Sequence, residues 1–249
     1  WSWLAMLCGK FILVILGKNV MLNKKPTVII LCGGKGMRLR PITNDLPKPL
    51  IPISGKPVLH YIINQCMKYD LDKFVIATGY KSKKISEFID SNFRDLDCAL
   101  VDSGDSDIIN RIRDCLDLID DDFILCYGDT ISDINLNNLQ EYHKLQSNIS
   151  TVTSFPILIP FGVMSLDDDN YVKSFIEKPV LKDVMNIGYF YFSKVHHNLF
   201  FKHNSFIEVL DDLCNQKELK CYNHAGIHIT INTIQELEYA NANISKILK

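Results

Sequence analysis

The 249-residue sequence predicts an α/β fold of the Rossmann-like, doubly wound kind, in which a mostly parallel mixed sheet lies between layers of helices. Two observations predict it. Up to residue 150, short apolar runs rich in β-branched residues alternate with segments whose apolar residues recur at helical spacing. Beyond residue 150 the pattern becomes richer in strands, which we expect to join the same sheet. Folds of this kind bind their ligands beyond the carboxyl ends of the strands.

The first strand covers residues 27–32, a continuous apolar run that is typical of a strand buried on both faces. Further strands are predicted at residues 74–78, 98–101, 123–127, 150–155, 171–176, 186–192 and 219–222. Helices are predicted at residues 56–69, 82–93, 108–119, 136–146 and 206–215. Strand–helix alternation implies right-handed crossovers, so successive strands of the first half should pair in parallel.

The composition indicates one domain with its own core. Hydrophobic residues make up 47% of the chain, and no internal repeat or low-complexity linker divides it. We therefore expect residues 23–249 to form a single domain, with halves of about 26–150 and 151–249. Residues 1–22 are interpreted as an extension of open origin, because their apolar run resembles a signal peptide only faintly and is too short to span a bilayer.

Charge and cysteine content narrow the class of function. The formal net charge of −2 provides no overall basic field to attract nucleic acid or an anionic membrane surface, so no nucleic-acid partner is expected. Stable membrane insertion is not expected either, because the apolar run near the start is too short to span a bilayer. The eight cysteines are scattered without a C-x-x-C pair, which indicates small buried hydrophobes in a reducing compartment and predicts a cytoplasmic protein. The sequence leaves homo-oligomerisation open.

A glycine-rich loop follows the first predicted strand. Gly33, Gly34 and Gly36 have no side chain to keep an anion away from their backbone N–H groups, although a plain tight turn would use the same residues. Cations among prolines follow, with Arg38 and Lys48 the foremost, and this combination favours a phosphate site.

Two common phosphate loops are excluded. A Walker A loop needs Gly-x-x-x-x-Gly-Lys-Ser/Thr, which is absent. A dinucleotide-binding loop needs a third glycine where Leu39 stands, and an acid after the second strand, where the chain instead reads Ala-Thr-Gly-Tyr.

The segment LCGGKGMRLRPITNDLPKPLIPISGKP, residues 31–57, closely resembles the signature of the sugar-phosphate nucleotidyltransferases, usually GGxGTRLRPLT followed by PKP and GKP. Met37 replaces the usual threonine. Residues 100–133 resemble the corresponding run of the glucose-1-phosphate cytidylyltransferases, and FIEKP and NIG match later motifs in order. The resemblance covers nearly all of residues 26–240 and implies a GT-A-like nucleotidyltransferase fold with a nucleotide-binding first half and an acceptor-binding second half.

The resemblance implies attack of an acceptor phosphate on the α-phosphate of a nucleoside triphosphate, with release of pyrophosphate and with Mg²⁺ as cofactor. It implies a catalytic set of Arg38, Lys48, Asp129 and Lys178. It implies nucleotide-binding residues Leu31, Cys32, Gly33, Gly34, Lys35, Gly36, Met37, Arg38, Lys48, Gly104, Arg111 and Gly128. Acceptor binding is assigned to Glu177, Lys178, Asn186 and Gly188, and metal binding to Asp129 and Asn232.

The sequence departs from the family at the metal site and in length. Asn232 stands where the family's late M-D-T motif has aspartate, so metal affinity or metal number is in question unless a single metal suffices or Asp133 helps. The resemblance favours CTP over UTP or GTP. Because the chain is shorter than the glucose-1-phosphate enzymes, the small phosphorylated acceptor is left open between a sugar 1-phosphate and phosphoglutamine, the substrate of a capsule-modifying cytidylyltransferase. His224 and His228 are further acceptor candidates, although packed or exposed histidines would look the same.

Two rival functions stay open. A non-catalytic nucleotide sensor would explain Asn232. A metal-dependent glycosyltransferase would use an Asp-x-Asp pair, which the runs at 120–122 and 167–169 offer, although both read as polar turns.

Overall fold

The computed structural model describes residues 25–247, so the predicted extension, residues 1–22, lies outside the described residues. A seven-stranded sheet forms the centre, in the order β12-β8-β11-β6-β1-β4-β5. Its strands are β1 (Thr27–Leu31), β4 (Lys73–Thr78), β5 (Asp97–Asp102), β6 (Phe123–Tyr127), β8 (Ser150–Leu158), β11 (Val180–Phe192) and β12 (Leu219–Asn223).

Three short two-stranded ladders lie outside the central sheet. They are β2 (Pro52–Ile53) with β3 (Lys56–Pro57), β7 (Thr130–Ser132) with β13 (His228–Thr230), and β9 (Val163–Leu166) with β10 (Val172–Ile176). The helices are α1 (Val58–Met67), α2 (Ser82–Asn92), α3 (Ile108–Leu116), α4 (Leu136–Lys144), α5 (Leu199–Lys202), α6 (Phe206–Asn215) and α7 (Ile234–Ile247).

Strand directions confirm the predicted mostly parallel mixed sheet. Strand β1 pairs in parallel with β4 and β6, and β4 pairs in parallel with β5. Only β11 runs against its neighbours β6 and β8 among the strands of this sheet in residues 25–247. The carboxyl ends of β1, β4, β5 and β6 therefore share one edge of the sheet.

Alternation along β1 explains the two layers of helices. Val28 and Ile30 are fully buried on the face that α1, α2, α4 and α7 cover, whereas Ile29 is buried on the face that α3, α5 and α6 cover. Each such aliphatic side chain contributes about 1.5–3 kcal/mol when it is removed from water. An apolar run with no polar alternation is what a strand covered on both faces requires.

The structure contains elements that the periodicity did not predict. Strands β7 and β13 have three residues each, too few for a period-two pattern to register. Helix α7 was also missed, as was strand β9. The predicted strand at 186–192 is only the carboxyl-terminal half of β11, whose first half is exposed. None of the helices within residues 25–247 is long and apolar enough to cross a membrane.

Candidate active site

The glycine loop is fixed by hydrogen bonds to the neighbouring strand ends. Cys32 N donates to Ala77 O over 2.7 Å, and Gly128 N donates to Leu31 O over 3.0 Å. Tyr80 N donates to Gly33 O over 3.1 Å. The loop therefore begins in a defined place at the carboxyl edge of the sheet.

Close packing explains glycine at two of these positions. A Cβ atom at Gly33 would lie 2.3 Å from Arg111 Nε, and a Cβ atom at Gly128 would lie 2.5 Å from Leu31 O. Both distances are below van der Waals contact, so a side chain at Gly33 would displace the Arg111 guanidinium and one at Gly128 would push against the backbone of β1.

The segment after the glycines is folded into three 3₁₀ turns, Met37–Leu39, Ile42–Asn44 and Lys48–Leu50. Leu39 and Leu50 are buried and anchor it to the core. Thr43 Oγ1 donates to Gly36 O over 2.9 Å, which ties the middle turn back to the glycine loop. Such anchoring holds the cations of this segment in place.

Four side chains from distant parts of the sequence converge beside this loop. Lys48 Nζ donates to Asp129 Oδ2 in a close ion pair, and to Asn232 Oδ1 over 2.8 Å. Arg38 Nη2 donates to the same Asn232 oxygen over 2.7 Å. The Lys48 and Asp129 side chains are only 13% and 27% exposed, so water screens the pair weakly.

Helix α7 sets the position of Asn232. Glu236 Oε2 accepts from Asn232 N over 2.7 Å and from Thr233 N over 2.9 Å. Thr233 Oγ1 in turn accepts from Glu236 N over 3.2 Å, which completes a capping box. The N-terminal cap of α7 thus holds Asn232 next to the Lys48 and Arg38 side chains.

These oxygens suit a hard divalent cation. Asp129 supplies a carboxylate oxygen and Asn232 an amide oxygen, and both already face one positive charge, the Lys48 ammonium. Mg²⁺ is commonly held by one or two protein carboxylates together with substrate phosphates and water. A cluster of three or more acidic, histidine or cysteine ligands does not occur within residues 25–247, so such an ion would depend on the substrate for further ligands.

A pocket opens next to this cluster, at the carboxyl edge of the sheet. Its walls are formed by Leu31, Cys32, Gly33, Gly34, Lys48, Pro49, Ile108, Arg111, Tyr127, Gly128 and Asp129. The residues assigned from the sequence to nucleotide binding thus supply most of the lining. Met37 is exposed, and Lys35 is drawn to Asp105, whose Oδ2 lies 2.5 Å from its Nζ. That hydrogen bond lowers the pKa of the Asp105 carboxyl.

Arg111 is the buried cation of the pocket wall. It is only 6% exposed, and its Nη2 donates to Gly104 O over 3.1 Å. Its Nε is buried without a hydrogen-bond acceptor among residues 25–247. A buried donor without a partner costs roughly 1–3 kcal/mol, and this Nε lies against Gly33, away from solvent.

The predicted acceptor residues fall into two groups. Asn186 Oδ1 accepts from Gly188 N over 2.8 Å, and Gly188 lies against the ring of Tyr127, so both adjoin the pocket. Burial raises the pKa of the Tyr127 hydroxyl, which is also hydrogen-bonded to Asn186. Glu177 and Lys178 are exposed beside the β9–β10 hairpin, and Lys178 has no ion-pair partner in the described part of the chain. Within residues 25–247, Lys178 forms no hydrogen bond or ion pair with Lys48 or Asp129, and it does not line the pocket.

Other candidates from the sequence have local partners. Asp133 Oδ1 accepts from Ile227 N over 2.5 Å and lies 3.0 Å from His224 Nε2. Asp122 Oδ1 accepts from Lys194 N over 2.7 Å, and Asp167 Oδ1 accepts from Tyr171 N over 2.8 Å. Neither acidic run lines the pocket, and each forms local polar contacts.

Sequence reasoning missed several residues of the site. Tyr127 and Ile108 line the pocket, and Glu236 holds Asn232. Tyr127 carried a usable signal, because it ends a buried strand directly before Gly128 and Asp129. Glu236 carried another, because Thr-x-x-Glu before an apolar helix is the sequence pattern of a capping box.

Comparison with known proteins identifies the family. The sequence profile of the family described as Nucleotidyl transferase matches residues 27–227. The probable glucose-1-phosphate cytidylyltransferase of Bacillus subtilis (strain 168) is 33% identical over 240 residues, covering 86% of this chain and 94% of that protein. The glucose-1-phosphate cytidylyltransferase of Salmonella typhi is 27% identical over 248 residues, covering 85% and 93%.

Among solved structures, HddC from Yersinia pseudotuberculosis superposes with a TM-score of 0.70 at 22% identity, covering 88% of this chain and 99% of that one. This likeness shows a shared GT-A-like fold. Together with the family profile and the relative that is one-third identical along almost the whole domain, it gives the conclusion that the chain belongs to the nucleotidyl transferase family.

Proposed function

We propose that this protein is a Mg²⁺-dependent cytidylyltransferase that transfers CMP from CTP to a small phosphorylated acceptor and releases pyrophosphate. The observation that carries the proposal is the convergence of Lys48, Asp129, Asn232 and Arg38 beside the glycine-loop pocket. Two cations and two hard oxygen donors at the carboxyl edge of a parallel sheet suit a polyphosphate and its metal.

The reaction forms one bond and breaks one bond at phosphorus. An acceptor phosphate oxygen bonds to the α-phosphorus of CTP as the bond from that phosphorus to the bridging oxygen of the β-phosphate breaks, and pyrophosphate leaves with the electron pair. Lys48 neutralises the charge that rises on the α-phosphate, and Arg38 holds the departing pyrophosphate. Backbone N–H groups of Gly33 to Gly36 orient the triphosphate, since positioning and charge neutralisation account for most catalysis of phosphoryl transfer.

Asp129 and Asn232 would hold the metal. Mg²⁺ bound there supplies positive charge to triphosphate oxygens. Asn232 contributes an oxygen without a charge, so the site should bind the ion less tightly than a site with two carboxylates.

The preference for CTP rests on the cytidylyltransferase relatives and on the run of residues 100–133. Both relatives named above as cytidylyltransferases match this chain over most of its length. Arg111 lies in the pocket wall and belongs to the run that resembles the corresponding segment of those enzymes.

The acceptor is proposed to be a sugar 1-phosphate or phosphoglutamine, used in capsule or surface-polysaccharide biosynthesis. Asn186 adjoins the pocket through Tyr127 and would contact the acceptor body. Glu177 and Lys178 would join the site when the exposed β9–β10 hairpin approaches a bound acceptor, with Lys178 meeting its phosphate.

The test is pyrophosphate release from each of the four nucleoside triphosphates with Mg²⁺ and a panel of sugar 1-phosphates and phosphoglutamine. We expect release from CTP, only with one of these acceptors, and none in EDTA. Faster release from UTP or GTP would contradict the choice of base. Binding of CTP with no pyrophosphate release from any pair of nucleotide and acceptor would instead favour the non-catalytic nucleotide sensor, the function that would explain Asn232.

A further inference from the structure

A chain of hydrogen bonds leads from Asp129 into the small β7–β13 ladder. Thr130 Oγ1 donates to Asp129 Oδ1 over 3.2 Å, and Thr130 Oγ1 lies 3.3 Å from Thr230 Oγ1. Thr230 Oγ1 lies 2.8 Å from His228 Nε2. The two threonines are directly opposite each other in the antiparallel register, so the ladder itself sets their contact.

The donors of this chain can be assigned in order. An ionised carboxylate only accepts, so the single proton of the Thr130 hydroxyl points to Asp129. Thr130 must then accept from Thr230, and Thr230 must accept from His228. His228 therefore carries its proton on Nε2.

The surroundings of His228 agree with that neutral form. Burial, followed by the nearby His224, lowers the pKa of His228 to about 4. The ring packs against Phe155, with centroids 5.5 Å apart. A neutral His228 ring that donates its Nε2–H to Thr230 can anchor the end of this chain of hydrogen bonds.

We propose that His228, Thr230 and Thr130 are positioning residues that fix the Asp129 carboxylate for metal binding. This chain of hydrogen bonds fixes the Oδ1 atom of Asp129. It leaves Oδ2 of Asp129 facing Lys48 and Asn232, the side on which the metal would be held. This inference rests on the metal-binding role proposed for Asp129. A cross-strand threonine pair can also be mere ladder packing, and in that case its loss would affect stability alone.

Substitutions of Thr130 distinguish positioning of Asp129 from packing within the ladder. Thr130→Val removes the hydroxyl at nearly constant volume, and Thr130→Ser keeps it. Thr153→Val is the matched control, because Thr153 Oγ1 is buried without a hydrogen-bond partner among residues 25–247 and does not line the pocket. Melting temperatures of all variants show which are folded.

The first measurement is the dissociation constant for Mn²⁺ in the presence of saturating CTP, from the water proton relaxation enhancement of bound Mn²⁺, because the metal would take its further ligands from the triphosphate. We expect Thr130→Val to weaken binding about fivefold to tenfold, the effect of one charge-assisted hydrogen bond, while Thr130→Ser and Thr153→Val stay near wild type. Equal Mn²⁺ binding by folded Thr130→Val would overturn the proposal. A wild-type protein whose affinity for CTP does not change when Mn²⁺ is added would overturn the metal role of Asp129, whatever the state of the hydrogen-bond chain.

The second measurement is the ¹⁵N spectrum of the histidine rings, with His228 assigned through His228→Gln. We expect the Nε2–H tautomer, and a shift of its resonance when Mg²⁺ is added to CTP-bound wild type or CTP-bound Thr130→Ser. Thr130→Val keeps the contact between His228 and Thr230 but should lose this response to Mg²⁺. The Nδ1–H tautomer, or an unchanged response in Thr130→Val, would contradict the chain as assigned.

Discussion

At position 232, the charge of the side chain matters more for metal binding than its size. Its amide oxygen accepts from both Lys48 and Arg38, so the local balance is two positive charges against the single carboxylate of Asp129. An amide can accept these bonds and can also coordinate a metal, but it adds no charge to oppose the cations.

Asn232→Asp should therefore increase the affinity for Mg²⁺. The new carboxylate is nearly isosteric with the amide and adds one negative charge, so we expect half-maximal pyrophosphate release at a several-fold lower Mg²⁺ concentration. The exposed Asn137→Asp on α4 is the matched control for the change in net charge. Superimposable Mg²⁺ titrations for wild type and Asn232→Asp would show that position 232 is not a ligand.

Single residues were predictable from the sequence where a motif fixes them. Lys48 and Asp129 follow from the motif order, and the structure brings them into contact. Thr130 and Thr230 could not be predicted, because their contact depends on the pairing of β7 with β13. Lys178 was assigned by the same motif reasoning, but its position depends on an exposed hairpin that the core does not hold.

The loop after β1 shows how one element builds the pocket. Its first glycine lies under the guanidinium of Arg111, which packs where a Cβ atom would be. Its second glycine has open space, since no atom lies within 4 Å of the position that a Cβ atom would take. Close packing therefore explains the glycine at position 33 but not the glycine at position 34.

Gly33→Ala and Gly34→Ala test this difference. Overpacking against Arg111 should make Gly33→Ala about 1–3 kcal/mol less stable in urea unfolding. Gly34→Ala should leave the free energy of unfolding within about 0.5 kcal/mol of wild type. Similar losses in the two variants would contradict the packing described for Gly33.

Elements with strong apolar patterns were predictable, whereas α7, the longest of the described helices, was missed. The strand at Phe123–Tyr127 and the helix at Phe206–Asn215 were predicted to the residue, because both have strong apolar patterns. The hairpin of β9 and β10 is exposed along its length, so no alternation marked β9 as a strand.

At the scale of the whole molecule, topology explains why distant sequence segments meet. The parallel strands β1, β4, β5 and β6 end at one edge, which gathers the glycine loop, Arg111 and Asp129. Helix α7 returns to this edge and adds Asn232 from the end of the chain. The parallel sheet was predictable from strand–helix alternation, whereas the return of α7 depends on packing that no local pattern records.

The central claim is that Lys48 and Asp129 act together on one phosphate group. The most direct measurement is the rate of pyrophosphate release from CTP and the phosphorylated acceptor by Lys48→Ala and Asp129→Ala, each first shown by its melting temperature to be folded. We predict that each rate falls by about a hundredfold to a thousandfold, as when a main electrostatic contact to the transition state is removed. A rate near that of wild type in either folded variant would contradict the account.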